Sequence, residues 1–169
     1  MILTTANLHL AMGAGAFIVS LPVFYSYTQS KIKTILDLAF FFVFISLYSF
    51  SLSIPYFIDR YDLVFLGGGY IIARIFLVFS LFYALKIPFI TTNILYKKLR
   101  IPIYTVLFGG TLIALFSLVT NFQVPIIASG EIIFWNLNGF ASLLLGIITV
   151  TMALIWVYMI YKSIYPEME

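Results

Sequence analysis

Hydrophobic residues make up 63% of these 169 residues and charged ones 9%, against about 45–50% and about 25% in an average soluble domain. That is more apolar surface than one soluble core can hide, so the chain reads as a polytopic membrane protein. The net charge of +3 is scattered along membrane flanks, leaving no continuous basic face for nucleic acid; the absence of cysteine excludes disulfides, thiolate chemistry and Cys-ligated zinc or iron–sulfur centres.

About 20 helical residues cross a hydrocarbon core of ~30 Å. Five apolar stretches meet that length and predict helices over 6–27, 34–57, 63–90, 101–120 and 139–161. The first lacks the positively charged lead-in of a cleavable signal, so it is expected to be a retained helix, broken near its end by Pro22. On the second, Ser46, Ser49 and Ser53 share a face. They read as a packing seam with hydroxyls bonded to the backbone, or as a polar pathway through the bundle.

The third stretch carries Arg74 well inside it and Lys86 near its far end. Gly67, Gly68 and Gly69 have no strand before them and no Lys after, so they read as the fraying or starting point of a helix and not as a phosphate cradle. Pro88 is expected to kink or end that helix. Between the fourth and fifth stretches, 121–138 holds two short β-branched runs separated by Ala128, Ser129, Gly130 and Glu131, a hairpin pattern. An isolated hairpin is marginal in water, so this one is expected to lie across the outer ends of the helices.

Orientation follows from the short loops. Lys31, Lys33, Lys97, Lys98, Arg100 and Lys162 fall on one side, and only Arg60, between Asp59 and Asp62, on the other. The expected fold is an all-α bundle of five transmembrane helices, N-out and C-in, with a small extracytoplasmic hairpin. It forms a single membrane domain over 1–169 in the plasma (inner) membrane. Small residues four apart, which let helices approach closely in lipid, occur at Ala11/Gly15, Ala16/Ser20, Gly69/Ala73, Gly110/Ala114 and Ser142/Gly146. The threading resembles the membrane regions of some bacterial sensor proteins and equally small subunits of respiratory assemblies; no residue motif decides between them.

Arg74 is the residue with most at stake. It lies roughly 10 Å into the outer leaflet if the helix starts at the glycines, and an arginine inside lipid costs at least ~2.5 kcal/mol on insertion scales. Structural readings have it snorkelling to headgroups, or bonding helix-end carbonyls and Tyr or Ser hydroxyls; another has it binding a lipid headgroup. A functional reading places it at the floor of an outward-facing pocket for a small anionic or carbonyl-bearing ligand, with His9, Asn7, Glu131, Trp135, Asn136 and Asn138 around it. Asp59, Asp62 and Glu131, in loops on that side, are the acidic residues that could fold over it. A lone His beside Asn reads first as a hydrogen-bonding anchor, since no second His or carboxylate stands at ligand spacing. Asp37 and Lys86 match in depth and are expected to form an ion pair locking the second and third helices, or a proton-relay element.

No P-loop, nucleophile elbow, HExxH or intramembrane aspartate pair occurs. An enzyme is therefore not expected, and no metal or cofactor is implied. No output domain is expected in the seven residues from Ser163 to Glu169. The expected function is a binding or sensing module acting through a partner, either another membrane protein or a second copy. The alternatives are a small structural subunit of a larger membrane complex and a small oligomeric transporter.

Overall fold

The computed structural model describes residues 5–91, 94–128, 132–135 and 138–164, without the side chains of 87–100, 156, 159, 160 and 162–164. Apolar residues with strong helical or β-branched character fill long uninterrupted windows, and they form five α-helices: α1 (Thr5–Ser30), α2 (Lys33–Ile58), α3 (Leu63–Thr91), α4 (Ile94–Thr120) and α5 (Gly139–Ile164). Two three-residue strands, β1 (Ile126–Ala128) and β2 (Ile132–Phe134), stand between α4 and α5. Thr5–Ser30, Lys33–Ile58, Leu63–Lys86 and Ile101–Thr120 are each long and apolar enough to cross a membrane; the described part of α5, Gly139–Ile155, is apolar but shorter. By length and composition this is an integral membrane protein.

The start of α4 and the roles of the prolines and glycines differ from the sequence expectation. Helix α4 begins at Ile94, ahead of Lys97, Lys98 and Arg100. Charged side chains mark where a helix leaves lipid, but Lys and Arg are good helix formers and do not end it. Helices α1 and α3 continue past Pro22 and Pro88, because neighbouring helices tolerate a missing donor within a span. The three glycines do not start α3; it is already helical at Leu63.

Packing runs α1 on α2, α2 on α3, and α3 on both α4 and α5, which also pair with each other. Small residues make the close approaches. A Cβ on Gly69 would stand 2.6 Å from the Ser51 carbonyl oxygen and 2.6 Å from Pro55 of α2, and one on Gly110 would stand 2.8 Å from Ile148 of α5. On the other side of α2, the Ser46 hydroxyl donates to the Gly13 carbonyl of α1 at 2.9 Å, and Ser53 donates to the Ser49 carbonyl at 3.1 Å. This face of α2 is therefore a seam against α1.

Three turns are set by local hydrogen bonds. Lys31 closes α1 in the left-handed region at φ 57, its N–H donating to the Tyr27 carbonyl at 2.8 Å, a position where glycine is easier. Between α2 and α3, Asp59 accepts from the N–H groups of Tyr61 and Asp62, and Asp62 caps α3 by accepting from Phe65 N–H at 2.9 Å. Asn138 caps α5, accepting from Ala141 N–H at 2.9 Å and from the Ser117 hydroxyl at 3.2 Å, while its amide donates to the Ser117 carbonyl at 2.8 Å. That residue ties the end of α4 to the start of α5. Asn138→Ala is expected to cost about 1–2 kcal/mol, a lost cap plus an orphaned carbonyl. Thermal unfolding in detergent reads it, and an unchanged midpoint would show the brace to be idle.

The strands pair antiparallel, with Ile126 opposite Phe134 and Ala128 opposite Ile132. The hairpin lies across the ends of the first three helices. Ile133 is buried with Ala6, Tyr56 and Leu66, with Ile127 and Trp135 against them, and Thr5 of α1 accepts from Ile133 N–H at 3.3 Å.

Candidate functional site

Helical spacing builds the centre of the site. Tyr70 and Arg74, four apart on α3, face the same way. Arg74 Nε donates to the Tyr70 hydroxyl at 2.6 Å, a second guanidinium nitrogen donates to the same oxygen, and the guanidinium carbon stands 4.6 Å from the centre of the Tyr70 ring. Because α3 starts at Leu63, Arg74 is about 16 Å along it, deeper than a start at the glycines implies. The Tyr70 oxygen accepts from the cation, which leaves its own proton free to donate.

Tyr70 is buried in a cluster that joins four helices, with Leu52, Ala73, Ala114, Leu118, Ala141 and Leu145 around it and Tyr48 packed against it. The indole of Trp135 stacks on the Tyr70 ring, 5.0 Å between centres at 27°. Just below the connection after α4, Gly67, Tyr70, Ile71, Leu118, Phe122, Gln123, Pro125 and Trp135 enclose a cavity of about 20 Å³. That is room for one water molecule. A Cβ on Gly67 would run into Phe122, so the glycine lets that ring close over the cavity.

The sequence-predicted residues are thus only partly assembled. Arg74 and Trp135 meet through Tyr70. His9 of α1 lies edge-on to Tyr48, 6.3 Å between centres at 87°, and reaches Tyr70 only by way of that ring; its Nδ1 is buried without a hydrogen-bond partner. Asn7 is half-buried two residues earlier on α1, about half a turn away. Both side-chain polar atoms of Asn138 are engaged as a cap. Glu131 and Asn136 lie outside the described residues.

Arg74 has no carboxylate partner among the described residues. The acidic residues of the α2–α3 turn, Asp59 and Asp62, are occupied by backbone N–H groups at the surface. Two residues that join this cluster, Tyr70 and Tyr48, escape a search for charged and amide side chains. For Tyr70 the usable signal is its i−4 spacing from Arg74; for Tyr48 no sequence signal exists, since it arrives from another helix.

At the opposite end, Lys86 donates to Asp37 Oδ1 at 3.2 Å, with Asp37 nearly buried. Lys86 also stands 4.9 Å and 4.6 Å from the ring centres of Phe82 and Tyr83. Between this pair and the Arg74 cluster lies a layer of rings. Phe44 stacks on Phe79 at 5.3 Å and on Tyr83 at 5.6 Å, and Phe40 packs on Tyr83 at 5.1 Å. No group of three or more His, Cys, Asp or Glu capable of holding a metal ion occurs among the described residues. No family model, curated protein or solved structure matches this chain.

Proposed function

We propose that this protein is a five-span, N-out and C-in binding module that takes a small anionic or carbonyl-bearing ligand at Arg74 and Tyr70 and passes the event to a partner protein. The observation that carries the reading is a half-buried guanidinium whose hydrogen bonds go to a neutral phenol. A cation inside a membrane span is normally matched by a carboxylate or a water-filled space; here the matching charge is to come from the ligand. Two donors converge on the same place, the Arg74 N–H groups and the Tyr70 O–H. The cavity beside Tyr70 holds no more than a water, so a ligand that reaches Tyr70 from that side displaces Trp135 and Phe122, and the connection after α4 acts as a lid. That displacement is the signal a partner would read.

A thermal-shift series with small carboxylates and inorganic phosphate tests this. A ligand at ~100 times its Kd stabilises by about 2.7 kcal/mol; wild type is expected to respond and Arg74→Gln to show no response. Equal responses would remove the pocket.

A second reading, a subunit of a larger membrane assembly, is favoured by surfaces left unfilled. Gly15 of α1 and Gly146 of α5 have nothing within 4 Å of a Cβ position, and Gly139, Ser142 and Gly146 line an open groove of about 690 Å³. Native mass spectrometry after gentle extraction separates the two. A stoichiometric partner on the wild type that survives Arg74→Gln but is lost in Gly146→Leu supports the subunit. Transport has less to support it, because the ring layer separates the two polar clusters.

A further inference from the structure

A wide, almost wholly apolar recess lies at the end of the bundle away from the hairpin. There α3 contributes the floor and α2 and α5 the walls of a groove of about 650 Å³, within the ~300–1,000 Å³ typical of ligand-holding clefts. Ile35, Leu38, Phe41 and Phe42 line one wall, Leu81, Ala84 and Leu85 the floor, and Met152, Ala153 and Val157 the other wall. Thr34 is the single polar residue lining it, and it stands at the mouth, in the first turn of α2.

The mouth has a charge of its own. Lys33 opens α2 and Lys31 stands just before it, both exposed. Ile32 gives α2 no side-chain cap, and no acidic residue occupies its first turn. The Lys33 and Thr34 amides therefore add their partial positive charge to the two ammonium groups. Asp37, one turn further in, is already bonded to Lys86. Lys31 stands 5.7 Å from the centre of the Tyr27 ring, but neither lysine has a carboxylate partner among the described residues, and a long apolar groove opening beside two such cations matches one kind of molecule.

We propose that the groove holds an acyl chain of an anionic phospholipid, with its phosphate at the start of α2 against Lys31, Lys33 and Thr34. The chain covers a recess that the protein leaves empty between α2 and α5, and the headgroup supplies the anion that α2 lacks. The lipid bridges two helices that α3 otherwise holds apart, so it steadies the α5 side of the bundle. The site is independent of Arg74, which lies toward the other end of α3.

The test uses the full chain reconstituted in bilayers of equal phosphatidylglycerol and phosphatidylcholine, then released into the gas phase for native mass spectrometry. Wild type is expected to retain one phosphatidylglycerol per chain in roughly thirtyfold excess over phosphatidylcholine, the scale that two headgroup-level lysines set. The Lys31→Glu, Lys33→Glu double variant is expected to lose that preference. Ala153→Trp, an exposed groove residue on α5, is expected to lose the retained lipid altogether, while Leu154→Trp on the neighbouring face keeps it. Equal retention of both lipids by wild type, or an undiminished preference in both groove and lysine variants, overturns the proposal. So does capture of soluble glycerol phosphate in place of the lipid, or a second copy of the chain seated there with no lipid retained.

Discussion

Lys86→Met is expected to destabilise the protein by roughly 3 kcal/mol, because it strands the Asp37 carboxylate without a partner inside the bundle. Asp37→Asn is expected to cost only about 1 kcal/mol: the Lys86 side chain is 35% exposed against 12% for Asp37, so solvent screens it. Its contacts with Phe82 and Tyr83 also remain. The double variant should sit near the milder single one, since the orphaned charge is gone. Thermal or denaturant unfolding in a fixed detergent measures all three. Two single variants of equal cost would show that the pair is solvated as a unit and locks nothing. The pair joins the start of α2 to the end of α3, antiparallel neighbours packed closely along their length, and its loss is expected to loosen that end first.

Three adjacent glycines give the second large effect, with opposite signs within one helix turn. Gly69→Ala is expected to destabilise by about 2–3 kcal/mol through overpacking, since the new methyl stands 2.6 Å from a backbone oxygen of α2 and 2.6 Å from the rigid Pro55 ring. Neither neighbour can swing aside, so the helices must separate. Gly68→Ala meets nothing within 4 Å and is expected to stabilise by up to about 1 kcal/mol through helix propensity alone. Unfolding midpoints of the two variants read the difference directly. If both stabilise, the α2–α3 contact is looser than described.

Several parts of this architecture are legible in the residues themselves. Length and apolar composition fix the long helices; the β-branched runs around 126–134 fix the hairpin; the matching depths of Asp37 and Lys86 foretell their bond. What the residues hide is contact between elements. The glycines read as a place where a helix frays because, in sequence, nothing reveals that Pro55 and Ser51 of another helix press against Gly69. Asn138 reads as a free amide near a pocket, but it closes α5 and holds Ser117, a role fixed by where α4 happens to end. Likewise, Asp59 and Asp62 look like available counter-ions until the tight turn between α2 and α3 takes up one oxygen of each. Arg74 stands out in the sequence by its charge, whereas the tyrosine that receives it does not.

The same contrast explains why function is less legible than fold. Burial of apolar surface and helix spacing are local properties of the chain, and they carry over into structure with little loss. A ligand site depends on which polar groups remain unmatched after every neighbour has been placed. In this bundle Arg74 is a half-buried cation in a span with no carboxylate partner among the described residues, and the proposed ligand displaces the indole stacked on its tyrosine.

That displacement supplies the most direct test. With Trp156→Phe as background, Trp135 is the remaining indole, stacked on the ring that holds Arg74. Titration with small carboxylates and phosphate in reconstituted bilayers is expected to give a saturable shift in its emission, abolished by Arg74→Gln. An emission that stays constant across the series, or that shifts equally with and without the guanidinium, contradicts the account.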